Sequence, residues 1–187
     1  MSELHREGFR TLTPDQRGYS PRARPRGRWA YRNSALVEDV VALLTEVGRP
    51  VHLVGHDWGA AVAWSLAAAR PDLVRTLTTV SVPHPGAFLR SMLTSNQAAR
   101  SWYMFVFQIP VLPELILRRS ARLTSAVFSR AGMTPSQTAV SRREVIDTEA
   151  LTGALNWYRG MPFASPPACA GRSAYRPSTS GATRTPP

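Results

Sequence analysis

The stretch Val51-His52-Leu53-Val54-Gly55-His56-Asp57-Trp58-Gly59, running straight into Ala60-Ala61-Val62-Ala63-Trp64, constrains the fold more than any other. A short apolar run of strand character stops at Gly-His-Asp-Trp-Gly, and an alanine-rich helical pattern starts with no loop between. A sharp strand-to-helix turn with Asp57 at its apex fits that junction. Gly55 and Gly59, two residues either side, leave room for the two backbones to come close. The following helix aims its first N–H groups and the positive end of its dipole at the apex, which favours an anion there. An aspartate before a helix is often no more than an N-cap. Here the whole pentapeptide matches, between a strand and a helix of the right kind, and a functional carboxylate is the better reading.

A chain of 187 residues has the length of one domain and can bury a substantial core. The net charge of +11 comes entirely from arginine, since the sequence contains no lysine. Such charge invites a nucleic-acid reading, but the arginines are scattered. The densest group, Arg22, Arg24, Arg26 and Arg28, lies among Pro and Gly in an expected loop, and no nucleic-acid-binding module accompanies it; no nucleic-acid partner is expected. The lone Cys169 excludes an internal disulfide framework and suits a reducing compartment. The amino terminus has no apolar signal-peptide core, and no run reaches the length of a membrane span, so a cytoplasmic protein without a membrane partner is expected.

Phe9-Arg10-Thr11-Leu12-Thr13 alternates apolar and polar residues and reads as a strand, broken by Pro14-Asp15-Gln16-Arg17-Gly18-Tyr19. Ser34 is the expected N-cap of a helix that closes at Gly48, with Leu36, Val40, Val41, Leu43, Leu44 and Val47 on its apolar face. Val51 to Val54 reads as a parallel strand buried on both faces. The helix after the elbow ends at Arg70-Pro71, and Thr76 to Val82 is the next strand. Alternating strands and helices predict a parallel α/β sheet. From Phe88 to Arg159 only helices follow: Phe88 to Phe107, Glu114 to Arg130, a third capped by Thr134-Pro135, and Thr148 to Arg159. Residues 164–187 contain no Val, Ile, Leu, Met, Asp or Glu. Such a segment cannot order itself by burial and reads as a flexible tail or the product of a shifted reading frame.

Gly55-His56-Asp57-Trp58-Gly59 resembles the nucleophile elbow of α/β-hydrolases that carry Asp in place of Ser, the epoxide hydrolases and haloalkane dehalogenases. Pro14-Asp15-Gln16-Arg17-Gly18-Tyr19 and Asn156-Trp157-Tyr158-Arg159 resemble further segments of the same family, and the likeness spans roughly residues 8 to 162, closest on the epoxide-hydrolase side. It implies a partial α/β-hydrolase fold, parallel strands with flanking helices plus a helical cap. Residues 1–85 form the core part, 86–163 the cap and 164–187 the tail, in a chain shortened at both ends.

The resemblance also implies a chemistry. A carboxylate attacks an epoxide or carbon–halogen carbon directly and forms an ester. An epoxide needs an acid for its departing oxygen, which the family supplies from two cap tyrosines. Tyr158 resembles one of them. The other is expected one residue before Phe107-Gln108-Ile109-Pro110, where Val106 stands; a different helix register brings in Tyr103. Trp58 resembles half of the oxyanion hole, and His56 and Trp157 are implied neighbours of the substrate. Ester hydrolysis needs a histidine base with an orienting acid, which the family carries beyond the cap. The four histidines here are His5, His52, His56 and His84, all before it, and His84 is a weak substitute at best. A small hydrophobic epoxide or halide is the implied substrate, with no metal and no organic cofactor. The alternatives are a haloalkane dehalogenase using Trp58 as a halide donor, and a non-catalytic basic remnant that binds nucleic acid.

Overall fold

The computed structural model describes residues 2–130 and 132–163; the expected tail, 164–187, lies outside them. In chain order the elements are α1 (Ser2–Arg6), a 3-10 turn (Arg28–Tyr31), α2 (Asn33–Val47), β1 (Val51–His56), α3 (Trp58–Ala69), a 3-10 turn (Pro71–Leu73) and β2 (Val74–Val80). The remainder is helical: α4 (Pro85–Thr94), α5 (Gln97–Arg100), α6 (Trp102–Val106), α7 (Leu112–Arg119), α8 (Ala121–Arg130), α9 (Pro135–Ser141), a π turn (Arg142–Ile146) and α10 (Ala150–Gly160). These residues form two compact units. One is Asn33–Ala98; the other combines the described part of Met1–Arg32 with Ala99–Pro162.

In the first unit β1 and β2 pair in parallel, with Leu53 opposite Leu77, Gly55 opposite Thr79 and His56 opposite Val80. The crossover helix α3 is Ala-rich because its small side chains let it lie close on the strands. Ala60, Val62, Ala63, Leu66 and Ala67 are buried on it. Ala35, Leu36 and Leu44 of α2 complete this core, and Asn33 Nδ2 donates to Ser65 Oγ at 2.9 Å across the two helices. Gly48, at φ +70, closes α2 by donating its N–H to the Leu44 and Thr45 carbonyls, as its expected cap position requires.

The expectation that β1 is buried on both faces does not hold among the described residues. Residues alternate across a strand, so Leu53 and Gly55 face α3 while His52, Val54 and His56 face the other way. That second face has no described cover: Val54 is 66% exposed and Val80 47%. The strand expected over Phe9 to Thr13 is likewise absent. The described sheet has two strands only, and an extended segment without a ladder partner does not become a strand. Phe9 and Leu12 are exposed accordingly.

In the second unit Ile146, Leu151 and Leu155 form a buried cluster against Phe107, Leu117 and Phe128. Two long helices of the sequence reading are divided here. The expected Phe88–Phe107 helix is three pieces: it breaks at Ser95, which is extended (φ −141, ψ −179) and whose hydroxyl accepts from the Gln97 N–H at 3.2 Å, and again at Ser101, the N-cap of α6. The expected Glu114–Arg130 helix breaks at Ser120, whose hydroxyl accepts from the Leu123 N–H at 3.2 Å. Serine side chains compete with the helical ladder for backbone amides in this way. The Thr134-Pro135 start is as expected: Thr134 Oγ1 accepts from the Gln137 N–H and Gln137 Oε1 from the Thr134 N–H, a reciprocal capping box. Among the described residues no helix is long and apolar enough to cross a membrane.

Candidate active site

Asp57 stands between the last residue of β1 and the first of α3, at φ 51 and ψ −123. This is a backbone region that L-residues avoid, at a cost on the order of 1–3 kcal/mol, and it persists because both flanks fix it. The Asp57 N–H donates to the Val80 carbonyl at 3.3 Å, extending the sheet by one bond. Its carbonyl accepts from the Ala60 and Ala61 N–H groups at 2.9 and 3.2 Å, opening the helix. The chain therefore reverses within one residue. Gly55 makes the reversal possible: a Cβ there meets the Gly59 carbonyl oxygen at 2.6 Å and the Ala60 Cα at 2.7 Å.

The Asp57 carboxylate makes no capping hydrogen bond to α3, so the ordinary N-cap role is not the one it plays, and the residue is exposed. Trp58 opens α3, which points its first amides toward the Asp57 end of the helix. His56 is the exposed last residue of β1. His84, weighed as a base, is instead the N-cap of α4: its Nδ1 accepts from the Gly86 N–H at 3.1 Å, and its ring meets Trp64 edge-on at 5.1 Å.

The other unit holds Tyr158 and Trp157 on α10. The Tyr158 ring packs edge-to-face on Phe107 at 4.9 Å and on Tyr103 at 6.0 Å, while Tyr103 meets Phe107 at 5.6 Å. Tyr103, not position 106, is thus the tyrosine that α6 brings to Tyr158. It lies three residues before position 106, and residues three apart on a helix share a face. Trp157 corrects its expectation as a substrate neighbour. It is 2% exposed, and its indole N–H donates to the Arg17 carbonyl at 2.8 Å.

Sequence reasoning missed the groups that hold α10. Tyr31 is 1% exposed and Asn156 6%. Burial pushes the Tyr31 phenol above its usual 10.0, outweighing the hydrogen bond to Asn156 and the charges of Arg17 and Arg24 that pull it down. Gly18 and Gly153 touch so closely that a Cβ on Gly153 lies 2.6 Å from the Gly18 Cα. Arg159 and Glu114 form a buried ion pair at 2.6 Å. Gly18, Asn156 and Arg159 stand inside the quoted motifs without an assigned role, while Tyr31 and Gly153 carry no signal in the sequence.

The model of the α/β hydrolase fold family matches residues 1–167. The chain belongs to that family. It is similar to the AB hydrolase superfamily protein YfhM of Bacillus subtilis, 35% identical over 161 residues that cover 82% of this chain and 56% of that protein. It is similar to epoxide hydrolase 2 of Caenorhabditis elegans, 33% identical over 85% of this chain and 48% of the relative. Among solved structures, an epoxide hydrolase of Bacillus megaterium in complex with an inhibitor superposes with a TM-score of 0.67 at 29% identity, over 78% of this chain and 54% of that one. An F128A mutant of the B. megaterium enzyme, complexed with its product (R)-3-[1]naphthyloxy-propane-1,2-diol, gives 0.65 at 29% identity, over 78% and 53%. This α/β-hydrolase chain is epoxide-hydrolase-like, and it spans about half the length of the curated relatives it matches.

Proposed function

We propose that this chain carries the first half-reaction of an epoxide hydrolase. A carboxylate oxygen of Asp57 attacks a ring carbon of the oxirane, and a carbon–oxygen ester bond forms as the ring carbon–oxygen bond breaks. The released electron pair stays on the former ring oxygen, which takes a proton from the hydroxyl of Tyr158 or Tyr103. In the full epoxide-hydrolase reaction water then cleaves the ester to a diol.

The observation that carries this reading is the carboxylate at a strained strand-to-helix corner, with no capping bond to occupy it. Strain of this kind gathers at functional positions, and an ordinary cap has no need of it. The Tyr103–Tyr158 pair favours an epoxide over a carbon–halogen bond, because a departing halide needs no proton. The naphthyl ether diol of the B. megaterium relative supports an aryl or otherwise hydrophobic epoxide as substrate, and the helical block from α4 to α10 is the proposed cap.

Of the four histidines, His5 bonds Thr11 at 2.6 Å, His52 bonds Thr76 at 2.7 Å, and His84 caps α4; His56 directly precedes the nucleophile. With no other histidine in the sequence, the proposed chain stalls at the ester. Incubation with styrene oxide followed by intact-mass and peptide mass spectrometry tests this. A stable gain of one styrene oxide, located on Asp57, is expected. Sustained release of phenylethanediol shows a working base and overturns the stalling, and an unmodified Asp57 in folded protein overturns the nucleophile.

A further inference from the structure

The guanidinium of Arg159 is the centre of the α10 unit. Its Nε donates to the Phe107 carbonyl at 2.9 Å and its Nη2 to the Ile109 carbonyl at 2.8 Å. The Glu114 carboxylate receives the rest, from Nη1 at 2.6 Å and from Nη2 at 2.9 Å. The pair is enclosed, with side chains 8% and 12% exposed. One residue earlier, the Tyr158 carbonyl accepts from Gln108 Nε2 at 2.7 Å, so consecutive residues of α10 grip the Phe107–Ile109 segment. Phe107 is the residue on which the Tyr158 ring packs, and Tyr103 is the next ring in that cluster.

Stability alone does not account for this arrangement. Desolvating two charges offsets much of their attraction, and apolar side chains of similar size often serve a core as well. What only a guanidinium provides is a planar fork that engages two carbonyls and a carboxylate at fixed angles. The bonds it makes are spent on the segment that places Phe107.

We propose that Arg159, with Glu114 as its counter-charge, is a positioning residue for Tyr158. It fixes the Phe107–Ile109 segment against α10, and through it the Tyr158 ring against Phe107 and Tyr103. The proposal rests on the reading of Tyr158 as the acid for the opened epoxide; the geometry it asserts stands apart from that reading.

The test uses the full chain and two measurements. Aromatic NMR of protein with labelled Tyr and Phe reports the Tyr158 ring, assigned by its loss in Y158F. Mass spectrometry reports the rate of ester formation on Asp57 with styrene oxide. In R159M the Tyr158 ring signals are expected to move toward random-coil positions while far-UV circular dichroism keeps its helical content. Ester formation falls about tenfold, and Y158F/R159M reacts no more slowly than Y158F, as expected of residues acting through one group. R159K recovers the charge but not the fork, and stays slow. Should R159M fail to fold, R159K, which keeps a charge beside Glu114 but loses the fork that engages both carbonyls, carries both measurements. Unmoved Tyr158 signals in a folded variant overturn the proposal, as do slowdowns that multiply in the double variant. If wild-type Asp57 forms no ester, the functional reading falls while the NMR measurement still decides the positioning.

Discussion

Trp157 and Arg17 are 140 residues apart in sequence and joined by one hydrogen bond, indole N–H to backbone carbonyl at 2.8 Å. Around it the Gly18 turn, at φ +92, lies flush on Gly153 of α10, and Arg17 Nη1 donates to the Ala30 carbonyl at 2.8 Å. The turn after Pro14 is therefore part of the support for the helix that carries Tyr158.

Replacing Trp157 with Phe removes the indole donor to the part-buried Arg17 carbonyl and opens space around a side chain that is 2% exposed. A loss of about 1–3 kcal/mol is expected, read as a lower urea midpoint. Unchanged stability would mean that the bond contributes nothing to holding the turn.

Gly153→Ala sets helix propensity against packing. In a free helix the change stabilises by about 0.5–1 kcal/mol. Here the new Cβ meets the Gly18 carbonyl oxygen at 2.5 Å, and overpacking of this kind costs about 1–3 kcal/mol. The melting temperature is expected to fall; a rise would show that Gly18 moves aside freely.

Glu114 sets the acid limb of stability. Burial raises its carboxyl, but the Arg159 hydrogen bonds and charge outweigh that and hold it below the usual 4.5. A group with a lowered folded value contributes stability above its unfolded value and loses it as pH falls through the folded one. Urea midpoints are therefore expected to drop as pH falls below 4.5, and E114Q is expected to flatten that part of the decline. An equal acid slope in both proteins assigns the effect to other carboxylates.

Asp57→Gly separates strain from chemistry. Glycine adopts φ 51 at little cost, so the variant is expected to gain about 1 kcal/mol while losing all ester formation. Asp57→Asn keeps the strain and also fails to react. A destabilised D57G, measured by urea unfolding, would mean that the carboxylate contributes more to the fold than its corner costs.

The elbow was legible because its signals are local. Gly55, Asp57 and Gly59 fall at fixed offsets, and strand and helix patterns meet there with no gap. The Thr134-Pro135 cap and the Gly48 stop were legible for the same reason. The breaks at Ser95 and Ser120 were not, since apolar periodicity runs through both and only a side-chain hydrogen bond ends the helix. The Phe9–Thr13 alternation predicts a strand that the structure does not form, because a strand also needs a neighbour. At the site, Asp57 and Tyr158 stood out by type and motif. Tyr103 enters the sequence reading only through an alternative helix register, and Arg159 and Glu114, charged residues 45 apart, announce no pairing in one dimension.

The packing of Gly18 against Gly153 has a consequence for synthesis. The turn leaves the ribosome well before the helix it fits, and at about 5–20 residues per second the wait is on the order of ten seconds. Through that interval Tyr31 and its neighbours have no partner to bury them. A chaperone that shelters nascent chains would find its window there, and pausing translation after α9 would lengthen it.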